Sequence, residues 1–168
     1  GAADSKTGIL SVWIRLDGGD ASILRIIGAS ATLGGGATTK WRSSRLNANK
    51  FIVTGDNAAG STILEIISTT SYTAAATWLH LLASWDLASA AAHMYVNDSS
   101  DLAGGSTLTN DSLDYTTADW GVGANPDGTS KMNGCLAELY FAPGQYVDLS
   151  VEGNRRKFIS STGKPVHL

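Results

Sequence analysis

Charged residues are scarce in this sequence, at 16% of its 168 residues, and the formal net charge is −3. A protein that binds nucleic acid needs a basic surface to neutralise phosphate groups, and the longest basic run here is Arg155–Lys157. We therefore expect no nucleic-acid partner. The sequence also lacks an apolar run of the roughly 18 residues that a membrane span requires, so we expect no membrane insertion.

Cysteine and histidine are also rare. The single cysteine, Cys135, excludes a disulfide within the chain, and its apolar surroundings predict a small buried thiol. The three histidines, His80, His93 and His167, lie far apart, and no Gly-x-Ser-x-Gly motif accompanies them. The sequence therefore indicates neither a zinc site nor a serine-histidine-acid triad.

Glutamate is almost absent, since the chain has only Glu65, Glu138 and Glu152. A retaining glycosidase needs two carboxylates about 5 Å apart, one as acid and one as nucleophile. None of these residues has a second glutamate within four positions. We therefore expect no glucanase chemistry, and we predict that the protein is not an enzyme.

Glycine, by contrast, is abundant, with 19 residues, and apolar and polar residues alternate along many segments. This composition suits tight turns and closely packed sheets better than long helices. It predicts an all-β protein, a two-layer antiparallel β-sandwich or a jelly roll. The residues expected to face its core are Val12, Ile14, Leu81, Trp85, Met94, Val96 and Leu139.

The alternation also predicts how some segments pair. Residues Thr77–Asp98 read as a β-hairpin, and Trp120–Ala124 is expected to pair with Gly134–Phe141. Near the end of the chain, Asp148 is expected to cap one short helix over Leu149–Phe158.

Three segments resemble laminin G-like, concanavalin A-type jelly rolls. WLHLLASWDLASAAAHMYVND, from Trp78, resembles the family's strand pair in which W-H-H-V-A-V-T-W-D precedes L-Y-V-N-G. GVGANPDGTSKMNGCLAELYF, from Gly121, is similar to its late strand pair, and ILSVWIRLD, from Ile9, to its early strand. The resemblance covers most of residues 8–142. It implies a jelly-roll domain over residues 1–147 and a short helix with a tail over residues 148–168.

Some members of this family hold calcium through an acidic residue of the late strand. That position aligns with Ala137 here, with Glu138 beside it. The turn Asp17–Asp20 and Asp127 offer other oxygen ligands, although acidic turns are mostly structural. We expect no cofactor, and a structural calcium ion is the alternative.

One predicted sheet face carries the candidate binding residues. Trp13, Arg15, His80, His93 and Tyr95 all alternate onto the face opposite the main apolar stripe. If their strands are neighbours, these side chains form an aromatic and polar surface of the kind that binds sugars. The alternative is a second packing layer beneath loops.

Trp41 is the tryptophan least explained by a core, because it lies between Lys40 and Arg42 after a glycine-rich segment. We expect its ring to stack on a ligand or on a neighbouring subunit. The candidate carbohydrate-binding residues are therefore Arg15, Trp41, His80, His93 and Tyr95.

The last segment, DLSVEGNRRKFISSTGKPVHL, is similar to segments of tailed-phage and prophage structural proteins. This resemblance implies a non-enzymatic structural or adhesion domain of a phage-like particle, such as a spike, fibre or decoration domain. Its expected location is the virion or the extracellular space. Its expected partners are other virion subunits, copies of itself and a cell-surface glycan. The alternative is a carbohydrate-binding module of a larger secreted enzyme.

Overall fold

A computed structural model describes residues 2–30 and 39–166, so His167 lies outside the described residues. These residues form two antiparallel β-sheets packed face to face, which confirms the predicted all-β sandwich. In chain order the elements are β1 (Thr7–Leu16), β2 (Leu24–Ser30), β3 (Thr39–Arg45), β4 (Phe51–Asp56), β5 (Thr62–Ile67), β6 (Trp78–Asp86), β7 (Ala91–Val96), β8 (Ser99–Ser100), β9 (Thr107–Leu108), β10 (Asp119–Val122), β11 (Gly134–Pro143) and α1 (Glu152–Arg155).

The first sheet has five strands in the order β11-β1-β6-β7-β8, and the second has six in the order β10-β2-β3-β4-β5-β9. The strand β1 lies between β6 and β11, so segments distant in sequence meet in one sheet. The predicted hairpin is confirmed, because β6 and β7 pair directly, with Leu82 opposite Tyr95. This arrangement fixes which side chains share each face.

The main core lies between the two sheets, where the inward side of each strand contributes apolar residues. Because side chains alternate along a strand, every second residue of β1, β6 and β7 points into this core. Six of the seven predicted core residues are 3% exposed or less, namely Val12, Ile14, Leu81, Trp85, Met94 and Val96.

Leu139 was predicted to be buried, but it is 36% exposed. The cause is a β-bulge in β11. Ser11 of β1 lies opposite Tyr140 and Trp13 lies opposite Ala137, so β11 has one residue more than β1 between these pairs. An extra residue interrupts the alternation of the strand and turns side chains out of register. The bulge therefore removes Leu139 from the core.

Trp41 was predicted to contact a ligand or a neighbouring subunit, and this prediction is wrong. Its side chain is 0% exposed, in the centre of the core. The ring stacks on Phe141, at 4.2 Å between centroids, and on Trp85, at 5.9 Å. A side chain on Gly55 would place its Cβ 2.9 Å from Cδ1 of Trp41, so this glycine makes room for the ring.

The predicted pairing of Trp120–Ala124 with Gly134–Phe141 is also wrong. The strand β10 pairs with β2, whereas β11 pairs with β1 in the other sheet. The chain between them crosses from one sheet to the other. Cys135, on β11, is half-buried and not fully buried as expected, with its Sγ 3.4 Å from Nη2 of Arg15.

A helix was predicted over Leu149–Phe158, but the structure has only the four-residue helix α1 there. Asp148 does not cap it. Its Oδ1 accepts hydrogen bonds from the backbone N and the Oγ of Ser150, at 2.9 and 2.6 Å. The residue at the helix N-cap is Val151, which offers no side-chain hydrogen bond. A short local turn therefore takes the place of the longer helix.

Residues 146–166, which we call the C-terminal segment, pack on the outer face of the five-stranded sheet. Leu149 and Phe158 join Ile9 and Leu82 in a second hydrophobic cluster on that face. The jelly-roll boundary at residue 147 stays a prediction. No helix in the described part of the chain is long and apolar enough to cross a membrane.

Candidate functional site

The strand register brings most of the candidate residues onto one face. Trp13 lies opposite His80, and Arg15 lies opposite Trp78, on the outer side of β1 and β6. On β7, Tyr95 lies opposite Leu82, and His93 shares its face by alternation. The outer face of the five-stranded sheet therefore carries an aromatic and polar row, from which Trp41 is absent.

The middle of this face is covered by the C-terminal segment. Nε of Arg155 lies 2.6 Å from Oδ1 of Asp98, and Nη1 of Arg156 lies 2.7 Å from Oδ2 of the same carboxylate. The guanidinium of Arg155 also lies over the ring of Tyr95, 4.7 Å from its centroid. Oγ of Ser84 donates a hydrogen bond to the carbonyl of Val147. Tyr95 thus belongs to a second packing layer in this structure.

His80 lies beneath this layer and is 1% exposed, so the prediction that it contacts a sugar is wrong. Its ring stacks on Trp13 at 4.9 Å, and its Nε2 lies 2.8 Å from Oγ of Ser11. Burial lowers the pKa of His80 to about 4, and the charge of Asp98 opposes this shift only in part. The imidazole is therefore neutral at pH 7 and acts as a core residue.

His93 is half-buried beside the C-terminal segment. Its Nε2 lies 3.1 Å from the hydroxyl of Tyr146 and 3.3 Å from Oδ1 of Asp148. Burial lowers the pKa of His93, with the Asp148 carboxylate acting in the opposite direction. These contacts hold His93 in the seam between the sheet and the segment, and its role in sugar binding stays a prediction.

The open part of the outer face is a pocket of about 460 Å³ at the start of β6, which we call the tryptophan pocket. Trp78 is 41% exposed there, whereas Trp13 is 6% exposed. The guanidinium of Arg15 lies 5.9 Å from the centroid of the Trp78 ring. The pocket is lined by Trp13, Thr77, Trp78, Ala137, Glu138 and the turn 163–165.

The bulge of β11 places Glu138 in the wall of this pocket. Glu138 has a φ of 48°, a left-handed conformation that is unusual for a residue other than glycine. No described residue forms a hydrogen bond or an ion pair with its carboxylate, and the same holds for Nζ of Lys164 across the pocket. The tryptophan pocket therefore combines the exposed ring of Trp78 with two charged groups that have no described partner.

Glu138→Gly should leave the fold at least as stable as the native protein, because glycine adopts a positive φ without the cost of about 1 kcal/mol that other residues carry. Ala137→Gly is the matched control, and it should lose about 0.5 to 1 kcal/mol through backbone entropy alone. Urea denaturation of both variants measures the difference. Equal destabilisation of the two would contradict backbone strain at Glu138.

A second pocket, of about 390 Å³, lies beside β5 of the six-stranded sheet. Lys50 and Glu65 are its charged residues, and Gly104 and Gly105 form part of its wall. No aromatic side chain lines it, so it offers no surface on which a sugar ring could stack. The tryptophan pocket is therefore the stronger candidate.

The carboxylates considered for calcium already have partners. Asp17 pairs with Arg15 at 2.9 Å, and Asp20 pairs with Arg45 at 2.7 Å. Oδ1 of Asp127 accepts hydrogen bonds from the backbone N and the Oγ1 of Thr129, at 2.9 and 2.6 Å. Within residues 2–30 and 39–166, no group of three or more His, Cys, Asp or Glu side chains could hold a metal ion.

The sequence did not single out Trp78 or Glu138 as site residues. Trp78 shares the alternation of His80, and the register with Arg15 places it at the uncovered end of the row. That signal was present in the sequence. The position of Glu138 depends on the bulge, which no local pattern indicates.

Solved structures with similar folds include proteins from bacteria and mammals. A protein of Bacteroides ovatus to which carbohydrate binding has been ascribed matches with a TM-score of 0.61 and 15% identity, covering 83% of this chain and 38% of that one. Domain 4 of an extracellular arabinanase from Geobacillus stearothermophilus, in complex with arabinotriose, matches with a TM-score of 0.51 and 13% identity, covering 87% and 64%.

The LG4–5 domains of the mouse laminin α1 chain match with a TM-score of 0.52 and 19% identity, covering 86% of this chain and 39% of that one. This chain thus spans about two fifths of the length of the Bacteroides and laminin chains. At these identities the likeness establishes the fold alone. A search of curated proteins by sequence found no match.

The sequence profile described as the concanavalin A-like lectin/glucanases superfamily matches residues 4–144. The match includes all eleven strands, from β1 to β11. Because it spans most of the chain, the protein belongs to the concanavalin A-like lectin/glucanases superfamily.

Proposed function

We propose that this protein is a non-catalytic carbohydrate-binding module and that the tryptophan pocket holds the sugar. The observation that carries the proposal is the exposed ring of Trp78 beside the unpaired charges of Glu138 and Lys164. Superfamily membership and the similar structures with sugar-related functions support it.

The pocket offers the two kinds of contact that sugar recognition uses. The apolar face of a pyranose or furanose ring stacks on an indole, and its hydroxyl groups bond to planar or charged polar groups. Trp78 supplies the ring, Glu138 accepts hydrogen bonds, and Lys164 and Thr77 donate them. Because the pocket is shallow and open, binding should be weak, and it should be insensitive to chelators.

The test is a glycan array followed by calorimetric titration of the neutral oligosaccharide that binds best. Trp78→Ala should weaken binding about tenfold or more, equivalent to about 1.4 kcal/mol of lost stacking. Val151→Ala is the matched control, because Val151 is an exposed apolar residue outside the pocket. An unchanged affinity in Trp78→Ala, or no array signal above background, would overturn the proposal.

The absence of catalysis is part of the proposal. Glu65 lies on β5 and Glu138 on β11, so two of the three glutamates belong to different sheets. Glu152 lies in α1 on the C-terminal segment. Hydrolysis with retention needs two carboxylates in one cleft. Release of reducing sugar from the bound glycan, abolished by Glu138→Gln, would contradict this part.

For the biological setting, we propose a structural or adhesion domain of a phage-like particle, located on the virion or outside the cell. The resemblance of residues 148–168 to segments of tailed-phage and prophage structural proteins supports it. Other virion subunits or copies of the chain would then be its partners, with a cell-surface glycan as ligand. The alternative is a module of a larger secreted enzyme, and the arabinanase domain supports that reading. Immunogold labelling of purified particles distinguishes the two, because a secreted enzyme would leave the particles unlabelled.

A further inference from the structure

Arg25 is a buried cation on the outer face of the six-stranded sheet. Its side chain lies on β2, opposite Ser44 of β3, and the residue is 5% exposed. Its Nε donates a hydrogen bond to Oδ1 of Asn125 at 2.6 Å, and its Nη1 donates one to Oγ of Ser44 at 2.7 Å. Both acceptors are neutral, so they satisfy hydrogen bonds but supply no opposite charge.

No described carboxylate lies within 4.0 Å of the Arg25 guanidinium. The sequence of residues 31–38, which follows β2, contains no aspartate or glutamate. Burial and, to a smaller extent, the charge of Arg42 lower the pKa of Arg25 to about 10, and the charge of Asp127 opposes them. Asp127 therefore offsets part of the charge of Arg25 without forming an ion pair with it.

A second guanidinium stands beside the first. Arg42 of β3 lies opposite Gly28 of β2, on the same outer face, and it is half-exposed. A Cβ on Gly28 would lie 3.1 Å from Cδ of Arg25 and 3.4 Å from Cβ of Arg42, so the two side chains flank this glycine. No described residue accepts a hydrogen bond from the side chain of Arg42. The sheet therefore presents two like charges side by side, and neither forms an ion pair with a described carboxylate.

We propose that Arg25 and Arg42 bind the anionic group of an acidic saccharide, either a uronate carboxylate or a sulfate ester. A guanidinium group presents its N–H donors in a planar fork that matches both oxyanions, and no described residue accepts a hydrogen bond from Nη2 of Arg25. The buried Arg25 is held in place by Asn125 and Ser44, and the half-exposed Arg42 meets the ligand from solvent. The identification of the ligand as a saccharide rests on the proposed function, but this site lies on the opposite sheet from the tryptophan pocket.

Binding of polygalacturonate and of dextran sulfate, each compared with neutral dextran, tests the proposal. We expect at least one acidic polymer to bind, and Arg42→Gln to weaken it at least tenfold. Lys157→Gln, which removes one exposed positive charge elsewhere, is the matched control and should change affinity by less than about twofold. Arg25→Gln should weaken binding to the same extent. Because Arg25 is buried, its replacement could also disturb the fold, so the half-exposed Arg42→Gln variant carries the test.

The outcomes separate this inference from the proposed function. Trp78→Ala should leave binding of the acidic polymer intact while it weakens binding of the neutral oligosaccharide. Equal losses in Arg42→Gln and Lys157→Gln would overturn the arginine site and leave the tryptophan pocket standing. A rise in melting temperature with inorganic sulfate equal to that with dextran sulfate, at equal sulfate concentration, would overturn the assignment to a saccharide.

Discussion

Replacing Trp41 with alanine should lower the free energy of unfolding by about 3 to 5 kcal/mol, at the top of the range for single substitutions. The ring is fully buried between the sheets, where it stacks on Phe141 and Trp85. Tyr115 and Trp120 also contact it, at 6.4 and 6.3 Å between centroids. Removing it leaves a cavity that this many rigid rings cannot close. Urea denaturation followed by circular dichroism measures the loss.

Trp41→Phe is the control, because it keeps an aromatic ring in the stack and should cost less than the alanine variant. Affinity for sugar, measured on the folded fraction, should not change in either variant. A loss of stability under about 1 kcal/mol in Trp41→Ala would show that the ring is not a core residue.

Replacing Arg45 with alanine should destabilise the fold by about 2 to 3 kcal/mol, because it removes a fully buried side chain and leaves the carbonyl groups that it binds without a donor. Arg45 is 0% exposed, and its Nη1 lies 2.7 Å from Oδ1 of Asp20. Its guanidinium also donates hydrogen bonds to the backbone carbonyls of Tyr72, Gly18 and Gly19. One side chain thus joins the turn after β1 to the segment before β6. Thermal and urea unfolding measure the loss.

Arg15→Ala is the matched control, because Arg15 forms a comparable ion pair with Asp17 at the surface. Its replacement should lower the free energy of unfolding far less. Arg45→Lys should still destabilise, because an ammonium group cannot reach all of these acceptors in one plane. Wild-type-like stability of Arg45→Ala would contradict the role assigned to this residue.

The Arg45–Asp20 pair should also make the stability of the fold depend on pH. A hydrogen bond from the backbone N–H of Ala74, and then one from Arg45, lower the pKa of Asp20. The carboxylate therefore stabilises the fold above its unfolded-state pKa of about 3.9, and this stability is lost as the pH falls through the lower folded-state value. In Asp20→Asn this part of the acid sensitivity should disappear.

The fold was predictable from the sequence where side chains alternate without interruption. The alternation in β1, β6 and β7 placed Trp85 and Met94 in the core correctly. It failed at Leu139, because a bulge is set by the pairing with β1 and not by local residue types. It failed for β10 and β11 because closeness in sequence suggested a hairpin, whereas each strand pairs with a partner far away in the chain.

The sequence predicted Trp41 at the surface, because its two neighbours in the chain are basic. Lys40 is itself 8% exposed, with Nζ 3.4 Å from Oδ2 of Asp114, so the flanking charge does not mark a surface segment. Arg15 lies on the predicted outer face, 5.9 Å from the centroid of the Trp78 ring, and its role in sugar binding stays a prediction. The covering of Tyr95 and His80 could not be foreseen, because it depends on where the C-terminal segment docks.

The tryptophan pocket has one wall on the sheet and one on the C-terminal segment, whose turn carries Lys164. Arg155 and Arg156 of that segment both pair with the carboxylate of Asp98, and Leu149 and Phe158 pack the segment on the sheet. We therefore expect tension applied at Pro165 to act on this wall before it reaches the hydrogen bonds between strands. Displacing the turn would widen the proposed binding pocket while both sheets stay paired. A mechanical load on this segment should then weaken any ligand contact in the pocket before the domain unfolds.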